Sequence, residues 1–116
     1  MEKKYNSNSI DENAIYLRYE SKIHRIGLTE LLFIEAQKDY VVLHTHENEF
    51  KILSSMKQLA DQLGNKEFHR IHRSYIVRLD KIDFLDGDEV YLKGSPKRIQ
   101  VGPSFRSPFL KSVRMI

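Results

Sequence analysis

The sequence contains no cysteine in 116 residues, and it has no long apolar run. The absence of cysteine excludes a disulfide framework and a thiolate metal site. The absence of a long apolar run excludes a membrane-spanning helix, and no apolar stretch of a signal peptide follows Lys3 and Lys4. We therefore expect a soluble, cytoplasmic protein with no membrane association and a single domain with a modest core.

Acidic residues are absent after Glu89, although six lysines and arginines follow. Residues 1–65 hold eight Lys/Arg and ten Asp/Glu, whereas residues 66–116 hold eleven and six. The first part therefore has a net charge of −2 and the second +5, in agreement with +3 for the chain. A basic surface on one side attracts polyanions such as nucleic acid or an acidic membrane, and a solvated surface with an uneven tail is the alternative.

Alternating and doubly apolar segments predict a run of short antiparallel strands. In IYLRYE, apolar and polar side chains alternate with period two, while LLFIEA is apolar on both faces and predicts a buried strand. Turns are expected at Ser21–Lys22 and at Asp86–Gly87, the second of type I′. In total we expect about eight to ten strands, which indicates a mostly β domain. It would occupy residues 15–116, after a polar, flexible leader or linker over residues 1–14.

Periodicity also predicts two short helices. The first has Ser55 and Gln58 in a capping box and Gly64 just beyond its end. Its apolar face is formed by four residues at helical spacing: Met56, Leu59, Ala60 and Leu63. The second helix is expected to close the chain, with Ser107 as N-cap and Pro108 as first helical residue.

Residues 69–78, HRIHRSYIVR, combine three arginines and two histidines with apolar side chains. As a helix this segment would hold Arg70 and Arg73 opposite its apolar face, and as a hairpin it would present Arg73 and Ser74 at the tip. β-Branched residues and strand-rich surroundings favour the hairpin. A rigid tip suits arginine, whose planar guanidinium makes bidentate hydrogen bonds to guanine edges or phosphates. An arginine- and histidine-rich surface without a partner is the alternative interpretation.

This segment and three others, in the same order, resemble the LytTR family, the DNA-binding output domains of bacterial response regulators. RIHRSYIV resembles its R-x-H-R-S-[YF]-[IL]-V signature, and FIEAQKDYVVL resembles its strand–loop–strand segment. SSMKQLADQL matches the short helix that precedes the signature, and RIQVGPSFRSPFL resembles the closing strand and helix. The resemblance covers residues 15–113.

The resemblance implies an elongated domain of short antiparallel sheets with one or two short α-helices. Such a domain binds double-stranded DNA without a cofactor or catalysis, through loops that enter successive major grooves at direct repeats. The base contacts that it implies are Lys38, Asp39, Tyr40, Arg73 and Ser104. The phosphate contacts are expected at Ser55, Lys57, His72, Ser74, Lys97, Arg98 and Arg106.

The sequence departs from the family at three places. Arg78 stands where asparagine is usual, and Gly102–Pro103 replaces a common Ser-Arg pair. Asp39 adds an acid to a loop that should approach phosphates, where it would accept from a cytosine amino group or lower the affinity. No receiver domain precedes residue 15, so we expect either a longer regulator with an N-terminal receiver or sensor domain, or a stand-alone domain.

The expected assembly follows from two arguments. No heptad seam is present and the clear helix is short, so the free chain should be a monomer. The resemblance implies that two copies share one DNA site, with half-sites about one helical turn apart.

Three other functions are alternatives to DNA binding. His44 with His46, or His69 with His72, would suit a metal, but no cysteine supports such a site. His69 or His72 with Lys66 would suit a nuclease, but no carboxylate cluster is present for a metal ion. A β-rich protein-interaction or sensory module without DNA affinity is the main alternative.

Overall fold

The computed structural model describes residues 13–116, within which it contains ten β-strands, two α-helices and two 3₁₀ turns. The strands are β1 Ala14–Tyr19, β2 Lys22–Gly27, β3 Leu31–Gln37, β4 Tyr40–Thr45, β5 Glu49–Leu53, β6 Phe68–His72, β7 Tyr75–Arg78, β8 Ile82–Asp86, β9 Glu89–Leu92 and β10 Arg98–Gln100. The helices are α1 Met56–Leu63 and α2 Pro103–Lys111, and the 3₁₀ turns are Leu28–Glu30 and Leu79–Lys81. Most of the leader predicted over residues 1–14 lies outside the described residues, and Ala14 already belongs to β1.

A five-stranded antiparallel sheet, in the order β5-β4-β3-β7-β6, forms the central layer. The β1–β2 hairpin and α1 cover one of its faces, and the three-stranded sheet β10-β9-β8 with α2 covers the other. The Cα extents of 46 × 30 × 24 Å make the domain elongated. The predicted mostly β fold of short antiparallel sheets is therefore confirmed.

Strand β3 explains why one domain has two cores. Leu31 and Ile34 are buried in the cluster beneath β1–β2 and α1, whereas Leu32 and Phe33 are buried in the cluster beneath β8–β10 and α2. A β-bulge between Leu31 and Phe33 sets two consecutive side chains on the same face. β3 is therefore buried on both faces, as its doubly apolar sequence predicts.

Helix α1 has the local structure that its sequence predicts. The Ser55 hydroxyl accepts from the Gln58 N–H and the Gln58 side chain accepts from the Ser55 N–H, which completes the capping box. Leu59 is buried, and Gly64 ends the helix with a φ of 74°. Within residues 13–116 no helix is both long enough and apolar enough to cross a membrane.

Helix α2 begins earlier than predicted. Its N-cap is Gly102 and its first residue is Pro103, so Ser107 is not the N-cap and Pro108 lies inside the helix. Both prolines satisfy the local rule for a first helical position, because neither needs an N–H there. A tertiary contact favours the earlier start: the Gly102 N–H donates to the Ile71 carbonyl of β6 at 2.8 Å.

Two predicted turns are displaced by one residue. The β1–β2 turn is Glu20–Ser21, with φ of 51° and 65°, and not Ser21–Lys22. The β8–β9 turn is Gly87–Asp88 and not Asp86–Gly87, because Asp86 pairs with Glu89. Only Gly87 of that second turn has a positive φ, so the predicted type I′ turn is also wrong. Burial of alternate side chains sets the register here and overrides the local turn preference.

Candidate nucleic-acid interface

Four segments lie together at one end of the central sheet, which we call the loop edge. The first is the β3–β4 turn with the start of β4 (residues 38–40), and the second is the β5–α1 connection (residues 54–55). The third is the β6–β7 turn with the preceding residue (residues 72–74), and the fourth is the N-cap and first turn of α2 (residues 102–105). Antiparallel pairing is the reason for their proximity. Tyr40 at the start of β4 pairs with Gln37 at the end of β3 and with Leu53 at the end of β5.

Backbone hydrogen bonds join these segments across strands and layers. The Ala36 N–H donates to the Ser74 carbonyl at 2.9 Å, which links the β6–β7 turn to the end of β3. The bond from the Gly102 N–H to the Ile71 carbonyl holds the start of α2 beside β6. Predicted site residues that are 66 positions apart, Lys38 and Ser104, therefore belong to one edge of the molecule.

The hairpin predicted for residues 69–78 is confirmed, with Arg73 and Ser74 as its two-residue turn. Arg73 is exposed, while the Ile71, Ile76 and Val77 side chains at its base are buried. This arrangement explains how one segment combines so much positive charge with apolar residues. The cation is at the tip and the apolar side chains anchor the strands.

Side chains hold the shape of this turn. The Arg70 guanidinium donates to the Arg73 carbonyl at 2.6 Å, and the Ser74 N–H donates to His72 Nδ1 at 3.0 Å. Since His72 Nδ1 accepts this bond, a neutral ring carries its hydrogen on Nε2, where it can be donated to a ligand. Arg73 therefore projects from a turn with a defined conformation.

Arg70 is a residue of the edge that sequence reasoning missed. Besides its bond to Arg73, its guanidinium lies 5.7 Å from the centre of the Phe105 ring on α2. It therefore connects the β6–β7 turn with the first turns of α2 through one cation–π contact and one hydrogen bond. The available signal was its position three residues before Arg73, which a two-residue turn brings back beside the backbone of the tip.

Lys97 is held beside the start of β7 by a small polar network. Its ammonium lies 3.9 Å from Glu35 Oε2 and 5.4 Å from the centre of the Tyr75 ring. The Tyr75 hydroxyl donates to the same Glu35 oxygen at 3.1 Å, and His44 Nε2 lies 3.1 Å from the other oxygen. Interaction with the Tyr75 oxygen, and then with the Glu35 carboxylate, raises the pKa of Lys97 above its ordinary value. Lys97 is therefore a cation at neutral pH.

The β3–β4 segment contains three predicted contact residues, and all three are exposed: Lys38, Asp39 and Tyr40. Lys38 has a φ of 58°, in the left-handed region. The Lys51 ammonium of β5 lies 5.1 Å from the centre of the Tyr40 ring and adds a cation that the sequence analysis missed. Its only signal would have been the β4–β5 register, which the sequence does not display.

The N-termini of the two helices differ in what they offer an anion. At α1 the capping box already uses the Ser55 and Gln58 N–H groups, while Lys57 makes an exposed pair with Asp61 at 3.1 Å. At α2 the N-cap Gly102 provides no side-chain cap for the first-turn N–H groups. Ser104 lies inside this first turn, and not before the helix as predicted, and it is exposed.

Arg98 and Arg106 are both engaged with the three-stranded sheet. Arg106 pairs with the Asp88 carboxylate in the β8–β9 turn. Arg98 is exposed, its guanidinium lies 5.7 Å from the centre of the Tyr91 ring, and interaction with the Tyr91 hydroxyl raises the pKa of Arg98. Arg98 and Arg106 therefore contact β9 and the β8–β9 turn. Arg73, in contrast, lies at the β6–β7 turn, and Lys97 lies beside the start of β7.

Arg78, the departure from the family's usual asparagine, has a structural role. It is buried, and its guanidinium donates to the Leu28 carbonyl at 3.0 Å and to Asp80 at 2.7 Å. It also lies 5.3 Å from the centre of the Phe68 ring. Arg78 therefore joins β7 to the 3₁₀ turn before β3 and does not face the loop edge.

Two of the four histidines considered as metal ligands, His44 and His72, make other polar contacts. His44 lies between Glu35 and Glu49, and His72 accepts from the Ser74 backbone. Within residues 13–116, no group of three or more His, Cys, Asp or Glu side chains is placed to hold a metal ion.

Comparisons with known proteins show which family this chain resembles. A family model described as the LytTr DNA-binding domain matches residues 21–113. An uncharacterized response regulatory protein of Vibrio cholerae is 38% identical over 73 residues, which cover 58% of this chain and 27% of that protein. The positive alginate biosynthesis regulatory protein of Pseudomonas aeruginosa is 33% identical over 85 residues, which cover 69% of this chain and 34% of that protein.

A solved structure shows the same fold. The LytTr DNA-binding domain of a methyl-accepting/DNA response regulator from Bacillus cereus superimposes with a TM-score of 0.76 at 20% identity. The superposition covers 86% of this chain and 95% of that one. Since the family model extends from β1–β2 to the end of α2, the chain belongs to the LytTr DNA-binding domain family.

Proposed function

We propose that the chain binds double-stranded DNA sequence-specifically through the loop edge, as the output domain of a transcriptional regulator of the response-regulator type. The observation that carries the proposal is the meeting of both hairpin turns and the first turn of α2 at one end of the central sheet. Membership in a family of DNA-binding domains supports it. The proposed role is one of binding, and it requires no cofactor and no catalytic step.

In this proposal the base contacts come from the exposed turns. Arg73 makes a bidentate pair with guanine, since its turn is held by Arg70 and His72 and its guanidinium is free of partners within residues 13–116. The β3–β4 turn and Ser104 supply the other base contacts: Lys38, Asp39 and Tyr40 from the turn, and Ser104 from α2. We propose that these loops enter successive major grooves.

The phosphate contacts position the domain on the duplex and carry no sequence information. We propose that they come from Ser55, Lys57, His72, Ser74, Lys97, Arg98 and Arg106. Lys57 and Arg106 would exchange a carboxylate partner for a phosphate, at small cost because these ion pairs are exposed. The first turn of α2 has no side-chain cap and supports a further phosphate contact through the Ser104 N–H, since Pro103 has no N–H and the Phe105 N–H donates to the Gly102 carbonyl.

The chain spans 27% and 34% of the length of the two curated relatives, whose names describe regulatory proteins. We therefore also propose that it acts in a cytoplasmic regulator in which an N-terminal receiver or sensor domain controls DNA binding. The isolated chain is proposed to be a monomer, with two copies occupying direct repeats on DNA. This arrangement needs no two-fold interface between copies.

The test is selection of duplexes from a random pool, followed by binding isotherms at several salt concentrations. We expect a defined preferred sequence, and a logarithm of the affinity that falls linearly with the logarithm of salt because bound cations release counterions. Single-stranded DNA of the same sequence is the control. A failure to bind any duplex at low salt would contradict the proposal and favour a protein-interaction module.

A further inference from the structure

The outer faces of the two covering layers have opposite charge. One is the outer face of β1–β2, which we call the basic face: Tyr16, Arg18, Ile23 and Arg25. The other is the outer face of β8–β9, which we call the acidic face: Asp83, Phe84, Asp86, Glu89 and Tyr91. Neither face belongs to the loop edge, although Arg98, a proposed phosphate contact, lies over the Tyr91 ring of the acidic face.

The acidic face is an exception in the basic half of the chain. Residues 82–92 contain four acidic residues and no basic one. Asp88 pairs with Arg106, but within residues 13–116 no cation pairs with Asp83 or Asp86. Phe84 is 48% exposed and stacks on Tyr91 with ring centres 4.3 Å apart. The face therefore combines unneutralised carboxylates with an exposed aromatic pair.

The basic face has the complementary composition. Tyr16 pairs with Arg25 and Arg18 pairs with Ile23 across the hairpin, while the alternate residues of both strands point into the core. Tyr16 is 58% exposed and Ile23 is 63% exposed. Large exposed apolar side chains beside charges are a common composition of protein interfaces. Each face thus offers apolar contact and the charge that the other lacks.

The fold places these faces on opposite sides of the molecule. β1–β2 packs on one face of the central sheet and β8–β10 packs on the other, so their outer faces point in opposite directions. A contact between two different faces is heterologous, and it arranges copies head to tail. Copies related in this way can all present the loop edge to the same duplex in the same orientation.

We propose that two copies of this chain bound to one duplex contact each other through the acidic face of one and the basic face of the other. This inference rests on the proposed DNA binding through the loop edge. Each face binds a second copy of this chain for two reasons. The charge and the apolar side chains of the acidic face complement those of the basic face, and the opposite placement of the two faces lets the contact repeat along DNA.

The size of the faces makes this contact weak in free solution. Each face has at most two large exposed apolar side chains. Exposed ion pairs add little to the free energy of association. A shared duplex raises the effective concentration of one copy beside the other, so a weak contact becomes measurable there. The Cα extents of the domain, 46 × 30 × 24 Å, are comparable with the roughly 34 Å of one helical turn of DNA.

The experiment uses the duplex sequence that the wild-type chain selects, placed once, as a direct repeat and as an inverted repeat. Cooperativity is the ratio of second-site to single-site affinity. We expect roughly tenfold cooperativity on direct repeats about 10 bp apart, within the usual range of coupling between sites, and none on inverted repeats. Arg18→Glu and Asp86→Lys should each reduce the ratio to about one, while the double variant should restore it.

Lys111→Glu makes the same charge change as Arg18→Glu at the exposed end of α2, and it should retain cooperativity. Unchanged cooperativity in both single variants would overturn the proposed contact, as would failure of the double variant to restore it. A wild-type chain that binds single sites without cooperativity at any spacing would overturn it as well, while leaving the proposed function intact. Absence of single-site binding would refute the proposed function itself.

Discussion

The two hairpin turns of the loop edge are stabilised in different ways. The β6–β7 turn is held by the Arg70 side chain, the His72 ring and the Ala36 N–H. The β3–β4 turn is held by strand pairing between Gln37 and Tyr40, and its first residue, Lys38, has a positive φ that is unfavourable for a side chain with a Cβ. Within residues 13–116 no side chain bonds to this second turn.

This difference indicates a division of roles. Base recognition requires an arginine fork in a defined position, since small errors of geometry weaken bidentate bonds. A turn without side-chain supports can adjust to the duplex and contribute more to affinity than to selectivity. We therefore expect Arg73 to contribute most of the sequence preference, and the Lys38–Asp39 turn to contribute more to binding strength than to preference despite its proposed base contacts.

The largest effect on DNA binding is expected for Arg73→Ala. Loss of a bidentate arginine–guanine pair should weaken binding to the preferred duplex by about 1–3 kcal/mol and relax the preference at one base position. Selection from a random duplex pool with the variant measures this change directly. Lys38→Ala is the matched control at the other turn, and a sequence preference unchanged by Arg73→Ala would end the proposed distinction between the turns.

Arg70→Ala tests whether the support of the turn matters. Removal of the bond to the Arg73 carbonyl should cost about 1–2 kcal/mol of specific binding, at the lower end of the roughly 1.5–3 kcal/mol of a hydrogen bond to a charged group because this bond is exposed. Because Arg70 acts through Arg73, its loss should have little further effect in an Arg73→Ala background. A double-mutant cycle of binding free energies measures this coupling.

Leu59→Ala is the control that shows how a loss of stability alone affects DNA binding, for comparison with Arg70→Ala. It should lower the free energy of unfolding by about 2–5 kcal/mol through a core cavity, yet leave the base preference of the folded fraction unchanged. If Arg70→Ala changed thermal stability but not base preference, Arg70 would be a stabilising residue without influence on recognition.

Asp39→Asn should have a smaller effect of the opposite sign. Removing an acid from the adaptable turn should strengthen binding to all duplexes by up to ~1 kcal/mol at low salt, because it removes repulsion from phosphates. Isotherms on the preferred duplex and on a scrambled one provide the measurement. Weaker binding restricted to sites with one particular cytosine would instead identify Asp39 as an acceptor for its amino group.

The smallest effect is expected for Lys97→Ala. Lys97 is oriented by Glu35 and Tyr75 but is not part of either turn, so it should contact phosphate only. We expect uniformly weaker binding, by about 0.5–1 kcal/mol, and a salt slope smaller in magnitude by about one. A change of sequence preference in this variant would place base recognition outside the turns.

Local signals were sufficient where one segment contains its whole explanation. The capping box at Ser55 and Gln58 predicted α1, and the apolar residues around Arg73–Ser74 predicted the hairpin. The start of α2 failed because Pro103 and Pro108 satisfy the same local rule, and only the contact of Gly102 with β6 distinguishes them. Turn positions failed by one residue because strand register depends on burial across the sheet.

By itself the sequence determined the mostly β class, helix α1 and the tip of the β6–β7 hairpin. It also supplied the residue types suited to DNA contact. These features could be predicted because apolar periodicity, helix capping and turn chemistry act within a few positions. Only the tertiary structure decided that Lys38, Arg73 and Ser104 share one edge and that Arg70 supports the tip. It also placed the acidic and basic faces on opposite sides. These relations depend on which strands pair and in which register, and that is decided by burial of two cores formed by residues far apart in the chain.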